Sequence, residues 1–228
     1  MSLDRASPAG TGPRTVGNAT LRRAIAAGLL LSSGCAATDG KRADGRWTAG
    51  DRAVAPAAGV TSVHTRLDAA ACREEPDPHD PNETPYLLCP GVGGYALIVR
   101  RVDAGRRSID LVDATRRAFP LDYHVFVTRH MATLADSAEW RVATRDGRQV
   151  PIALIVRVRA REDAAEPERV TRTYVAVAKV TPTEVCVTDR IPDDARSAAE
   201  VRGLADAAPA RPCAPAQPPM TAGGAVVR

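Results

Sequence analysis

Two stretches of the chain decide its fold: residues 152–158 read IALIVRV, and residues 170–180 read VTRTYVAVAKV. Aliphatic side chains recur at every second position of the first stretch, a period that is typical of a β-strand with one buried face. The second stretch has the same period and is rich in valine, which favours strands. Residues 162–168 between them are charged and include Pro167, so the two stretches are predicted to form a hairpin with a long loop.

Other parts of the chain show the same period of two. Residues 95–102 and 107–112 are predicted to form a second hairpin, in which Asp103-Ala104-Gly105 is the turn and Gly105 can take a positive φ at little cost. Shorter strands are predicted at residues 60–67, 86–89, 121–127, 140–143 and 183–188.

Helical signals are few. A helix is predicted after Pro192, with Asp193 or Asp194 as its N-cap and its end near Ala207, and a short helix is predicted within residues 128–138. The predicted fold is therefore mainly β, an antiparallel sandwich or a partly open barrel with one C-terminal helix. An α+β fold is the alternative.

The chain has 228 residues, a length that supports one globular domain with less regular ends. We predict a signal peptide (1–35), a flexible tether (36–58), a single β-rich domain (59–213) and a disordered tail (214–228). Proline, glycine and alanine dominate the tail, which gives it little to bury in a core. As a random coil, the tether would span about 26 Å, enough to lift a domain off a membrane.

The N-terminal region contains the parts of a secretory signal: Arg22-Arg23, an apolar run that ends at Leu31, and small residues after it. The stretch Leu31-Ser32-Ser33-Gly34-Cys35 resembles a bacterial lipoprotein box, in which the cysteine is acylated, but its large aliphatic residue stands one position further from the cysteine than usual. Conventional cleavage after Ala37 is the alternative. The protein is therefore predicted to be a periplasmic lipoprotein anchored through Cys35, or else a soluble periplasmic or secreted protein.

Net charge argues against a nucleic-acid partner. The whole chain carries +4, but residues 1–34 contribute +3 of this through four arginines and one aspartate. A mature protein near +1 has little electrostatic field with which to attract a polyanion. The predicted partner is therefore an envelope component or another protein, and the predicted membrane contact is the lipid anchor alone.

Excluding Cys35 leaves four cysteines, an even number that is typical of an oxidising compartment. Of the three possible pairings we predict Cys72–Cys89 and Cys186–Cys213, because each closes a local loop. Loop-closure entropy gives each bridge about 3–3.6 kcal/mol of stabilisation.

Catalytic and cofactor signals are weak, so no catalytic residue, metal site or cofactor is predicted. The histidine at Asp77-Pro78-His79-Asp80 stands among loop carboxylates, which is a poor zinc set. The glycine-rich segment from Cys89 to Gly94 precedes an apolar strand, which favours a turn over a phosphate loop. A hydrolase in which Ser137 meets His124 or His130 in the folded chain stays an alternative.

Glu139-Trp140-Arg141 places an aromatic side chain between opposite charges, and no other short segment combines as many groups that could bind a ligand. At a surface this set could stack on a sugar or hold a peptide carboxylate, so it is the predicted binding site. The competing interpretation is a strand whose tryptophan fills the core while the flanking charges pair outside it.

These marks together resemble an uncharacterised group of exported proteobacterial proteins of unknown function. The matching features span most of residues 65–213 and are Cys72, Cys89-Pro90-Gly91, Gly93-Gly94, Glu139-Trp140-Arg141, Cys186, Ala205-Asp206 and Cys213. The group has no assigned activity, so the resemblance implies export and supplies no site residues.

The leading hypothesis is an exported, lipid-anchored envelope protein with a non-catalytic β domain that binds a ligand or a protein. The alternatives are a small envelope hydrolase and an inhibitor of hydrolases, whose inserting element would be the acidic loop at residues 73–88. The sequence favours a protein that is not an enzyme and leaves the question open.

Overall fold

The computed structural model of the chain describes residues 57–76 and 85–220. The predicted signal peptide with Cys35, most of the predicted tether and His79 lie outside the described residues. The elements, in chain order, are β1 (Val60–Arg66), β2 (Arg73–Glu75), β3 (Tyr86–Pro90), β4 (Ala96–Asp103), β5 (Arg106–Val112), β6 (Ala118–Pro120), α1 (Tyr123–Phe126), β7 (Met131–Arg145), β8 (Arg148–Arg161), β9 (Arg172–Val180), β10 (Val185–Pro192), α2 (Ala198–Ala207) and a 3-10 turn (Ala208–Ala210).

The strands form one open, mixed sheet. Its order is β10-β9-β8-β7-β5-β4-β3-β2, with β1 paired to β7 and β6 paired to β5. The pairs are antiparallel except that β5 meets β7 in parallel at Arg106 and Ala132. The fold is therefore mainly β with one C-terminal helix, as predicted, and the sheet does not close into a barrel.

The central strands β8 and β9 pair antiparallel, which confirms the predicted hairpin. Leu154 lies in the larger core, while Ala153 and Ile155 on the other face pack with residues of α2 in a second, smaller core. The alternation predicts that the second face of β8 is exposed to solvent. This face is instead buried along this part of the strand, because α2 covers it. Further along the strand, Arg157 and Arg159 are exposed.

The second predicted hairpin is confirmed by β4 and β5, which pair across the turn at Ala104-Gly105. Gly105 does not use the positive φ that is open to glycine. Its missing Cβ serves close packing, since a Cβ there would lie 2.8 Å from the side chain of Met131.

The stretch after β6 departs from the predicted elements. The helix predicted within residues 128–138 is wrong, because residues 131–145 form the long strand β7. Helix α1 comes earlier, inside the segment 121–127 that was predicted to be a strand. Strand β7 reverses into β8 through Asp146-Gly147, whose positive φ values suit a two-residue hairpin turn. Pairing with both β1 and β8 overrides the weak local preference of β7.

Helix α2 ends where the sequence predicts but begins after Ser197, and neither Asp193 nor Asp194 is its N-cap. The Ser197 side chain accepts a hydrogen bond from the Glu200 N–H, and the Glu200 carboxylate accepts one from the Ser197 N–H. This capping box satisfies two backbone donors that the first turn would leave unpaired.

Residues 214–220 pack on the domain, so the predicted disordered tail starts too early. The Ala214 N–H donates to the Val187 carbonyl in β10, and the Gln217 N–H donates to the Val125 carbonyl in α1, both at 2.7 Å. The segment thus pairs with a backbone group of the edge strand β10, which would otherwise be open to other chains. Residues 221–228 lie outside the described part.

Both predicted disulfides, Cys72–Cys89 and Cys186–Cys213, are present. Such bridges persist in oxidising compartments, so they indicate a protein that resides outside the cytosol. None of the helices in the described ranges is long and apolar enough to cross a membrane.

Candidate functional site

Trp140 lies in the larger core and is 0% exposed. Its indole N–H donates to the Thr65 hydroxyl at 3.0 Å, so the side chain is satisfied inside the protein. A ligand cannot reach this ring. The predicted binding surface at Glu139, Trp140 and Arg141 is therefore wrong for the tryptophan, and the competing interpretation of a core residue is correct.

The two flanking charges hold helix α2 on the sheet. Arg141 donates to both carboxylate oxygens of Asp206 in α2, at 2.6 and 3.0 Å, and both side chains are buried. Glu139 accepts from Arg202 of α2 at 2.6 Å and from Ser62 of β1. Burial opposes ionisation of Glu139, but the hydrogen bonds from Arg202 and Ser62 lower its pKa. All three predicted binding residues thus have internal partners.

Among the described residues, the serine and histidines of the hydrolase alternative are not brought together into a catalytic site. Ser137 is exposed in β7, and no hydrogen bond joins it to His124 or His130. The Nδ1 atom of His124 is buried without a hydrogen-bond partner, and burial lowers the pKa of this imidazole. Because no carboxylate accepts a hydrogen bond from its Nδ1, this histidine is not oriented as a general base.

One group has the spacing of a metal site. Glu184, Cys186 and Cys213 place an oxygen and two sulfurs within 4.8 Å of one another. The two sulfurs are bonded to each other in a disulfide, so neither is a thiolate that could bind a metal.

A cavity of about 590 Å³ lies beside the β4–β5 hairpin, within the size range of small-molecule sites. We call it the arginine cavity, because the exposed Arg101 and Arg107 line it together with Leu67, Leu87, Val99 and Leu134.

Arg101 and Arg107 are directly opposite each other across β4 and β5. Both residues are exposed, and neither forms an ion pair or hydrogen bond with any described residue. Like charges that face each other across an antiparallel pair destabilise the sheet, by a few tenths to about 1 kcal/mol. An anion that bridges the two guanidinium groups would turn this repulsion into two charge-assisted hydrogen-bonded contacts.

The aliphatic side chains that line the arginine cavity are continuous with the core. Leu67 and Val99 belong to the larger core and are 7% and 5% exposed. Leu87 and Leu134 are partly buried and pack against that core. A ligand held by the arginines would therefore have aliphatic surface available within the same cavity.

Carboxylates on the same rim limit the charge of any ligand. Asp68 forms an ion pair with Arg66, whose Nη2 donates a hydrogen bond to it at 2.6 Å. This hydrogen bond lowers the pKa of Asp68. Glu74 and Asp136 also line the cavity and are exposed. Glu74 and Asp136 form no ion pair with Arg101 or Arg107, but their negative charge near the same cavity disfavours a ligand with several anionic groups.

A second cavity of similar volume lies on the sheet face around Arg100. This guanidinium is already paired, since its Nε donates to Asp110 at 2.8 Å and its Nη2 to Asp122 at 2.7 Å. Burial raises the pKa of Asp110, against the effect of Arg100. The exposed Arg116 also lines this second cavity, but it does not face a second arginine across a strand pair as Arg101 and Arg107 do.

Neither Arg101 nor Arg107 is among the site residues predicted from the sequence. The predicted hairpin contained a usable signal, because two residues on either side of a symmetric turn face each other across the strands. The cavity itself could not be inferred, since its other wall comes from Leu67 after β1 and from Leu134 in β7.

No family model, curated protein or solved structure matches the chain. The resemblance to exported proteobacterial proteins therefore stays a prediction.

Proposed function

We propose that this chain is an exported, lipid-anchored envelope protein whose β domain binds an anionic ligand, without catalysis, in the arginine cavity. The observation that carries the proposal is the cross-strand pair of Arg101 and Arg107, whose charges no described residue neutralises. Export is supported by the two disulfides and by the signal-like N-terminal sequence, and anchoring by the resemblance of Leu31 to Cys35 to a lipoprotein box.

The chemistry of the rim suits binding. Arginine stays protonated in proteins, so it can hold an anion but cannot serve as an acid or base at neutral pH. Its planar donors match the two oxygens of a carboxylate or phosphate. The inhibitor alternative depends on the loop at residues 73–88, of which residues 77–84 lie outside the described part.

Anion binding is tested by replacing both rim arginines with glutamine (R101Q/R107Q). Loss of two charge-assisted hydrogen-bonded contacts is expected to weaken binding of decanoate or inorganic phosphate at least tenfold. The measurement is titration calorimetry on mature protein that carries Cys35→Ser, so that an anchor does not interfere.

The chain offers a matched control. Arg145 and Arg148 also face each other across two strands and are exposed, but they flank the Asp146-Gly147 turn and do not line the cavity. The R145Q/R148Q variant removes the same charge and is expected to bind as the wild type does. Equal affinity of R101Q/R107Q and wild type for every anion would refute the proposed function.

The anchor is tested by the intact mass of the protein made in a Gram-negative host. The mature chain is expected to begin at Cys35 and to carry the mass of a diacylglyceryl group, and Cys35→Ser is expected to move the protein from the membrane to the soluble fraction. A chain that begins after Ala37 without lipid would contradict the anchor and leave export intact. Retention of Met1 would contradict export.

A further inference from the structure

We infer that the ligand of the arginine cavity is a single-headed amphiphile: a carboxylate or phosphate between Arg101 and Arg107, and an aliphatic chain on Leu87 and Leu134. This inference rests on the proposed function, because it takes anion binding at the two arginines as its starting point.

The size and lining of the cavity argue for the chain. A bare carboxylate or phosphate would fill a small part of about 590 Å³ and leave water in contact with leucine side chains. Replacing that water by methylene groups is favourable, because it removes apolar surface on both partners from water. The arginines and the aliphatic side chains line the same cavity, so one molecule could satisfy both parts of the site.

The charges on the rim argue for one small anionic headgroup and against a ligand with several. One anion between the arginines relieves their mutual repulsion. Additional negative charge would approach Glu74 and Asp136, which are exposed on the same rim. A neutral amphiphile would cover the leucines but leave the two arginines facing each other without a counterion.

Covalent and hydrogen-bonded links hold the cavity walls in place. The Cys72–Cys89 bridge ties the segment after Leu67 to β3, the strand that supplies Leu87. The Leu67 N–H donates to the Asp136 carbonyl at 2.9 Å, which ties the same segment to β7. A site formed before the ligand arrives loses less conformational entropy on binding.

The experiment compares acetate, hexanoate, decanoate and decyl phosphate with decyl maltoside, a neutral amphiphile, below their micellar concentrations. Titration calorimetry on the Cys35→Ser protein is expected to show affinity rising about fourfold per buried methylene, so that decanoate binds at least tenfold more tightly than hexanoate. R101Q/R107Q is expected to lose this binding at least tenfold, while R145Q/R148Q keeps it. Leu134→Ala is expected to weaken decanoate severalfold and to leave acetate unchanged.

The outcomes separate the two proposals. Arginine-dependent binding in which acetate equals decanoate would overturn the amphiphile and keep the proposed function. Binding of decyl maltoside as tight as that of decanoate, or decanoate binding that R101Q/R107Q does not weaken, would overturn both. Failure of every probe to bind would also overturn both.

Discussion

Replacing Asp206 with alanine is expected to lower the free energy of unfolding by about 3–5 kcal/mol, because the buried Arg141 then loses the carboxylate to which it donates two hydrogen bonds. The two side chains are 4% and 3% exposed, and the Arg141 Nε lies 2.6 Å from the Asp206 Oδ1. Arg141 also donates to the Ser62 hydroxyl and lies 3.8 Å from Glu139, but Asp206 is the carboxylate that accepts two hydrogen bonds from it. Chemical denaturation by urea, followed by far-ultraviolet circular dichroism, measures the loss.

An exposed ion pair provides the control. Arg157 and Asp193 lie 2.9 Å apart, but their side chains are 49% and 37% exposed. Asp193→Ala is therefore expected to change stability by less than about 1 kcal/mol. If Asp206→Ala costs no more than Asp193→Ala, the pair of Arg141 and Asp206 does not hold α2 on the sheet.

A double substitution separates loss of the pair from loss of packing. Arg141→Met with Asp206→Leu removes both charges and keeps apolar volume, and it is expected to regain most of the stability that Asp206→Ala loses. The Ala57 N–H also donates to Asp206 Oδ2, at 2.7 Å, and this contact is lost in both variants. Any deficit that remains in the double variant includes that contact.

The sequence predicted those parts of the fold in which local pattern and long-range pairing agree. Alternation in residues 152–158 and 170–180 placed β8 and β9 correctly, because a period of two is shared by all strands with a packed face. The pattern could not reveal α2 on the second face of β8, since burial there depends on a helix that begins some 40 residues later. Asp-Gly is a typical two-residue hairpin turn, so Asp146-Gly147 indicates a hairpin. Without that signal, the strand predicted at residues 140–143 is much shorter than β7.

The site was less accessible to sequence reasoning. Trp140 pairs with Val63 on one side and Leu154 on the other, and this register sends its ring into the core. Without the register, an aromatic side chain between opposite charges is equally compatible with a surface and an interior position. Arg101 and Arg107 carried no composition signal in an arginine-rich chain. Their role in the candidate site depends on the apolar side chains that line the same cavity, which come from four separate strands and loops.

Reduction of both disulfides is expected to lower the melting temperature by roughly 12–25 °C, the largest effect among these predictions. The bridges close loops with sequence separations of 17 and 27 residues. Loop-closure entropy assigns about 3 kcal/mol to the first and about 3.6 kcal/mol to the second. Together they are comparable to the entire stability of many domains. Calorimetry with and without dithiothreitol measures the shift, and alkylation followed by mass measurement counts the free thiols.

Two variants apportion the effect between the bridges. C72A/C89A opens the shorter loop beside the arginine cavity, whereas C186A/C213A opens the loop that contains α2. The second variant is expected to lose slightly more stability, and the first to lose more affinity for decanoate, because it frees a wall of the cavity. An unchanged melting temperature under full reduction would mean that the bridges do not stabilise the fold.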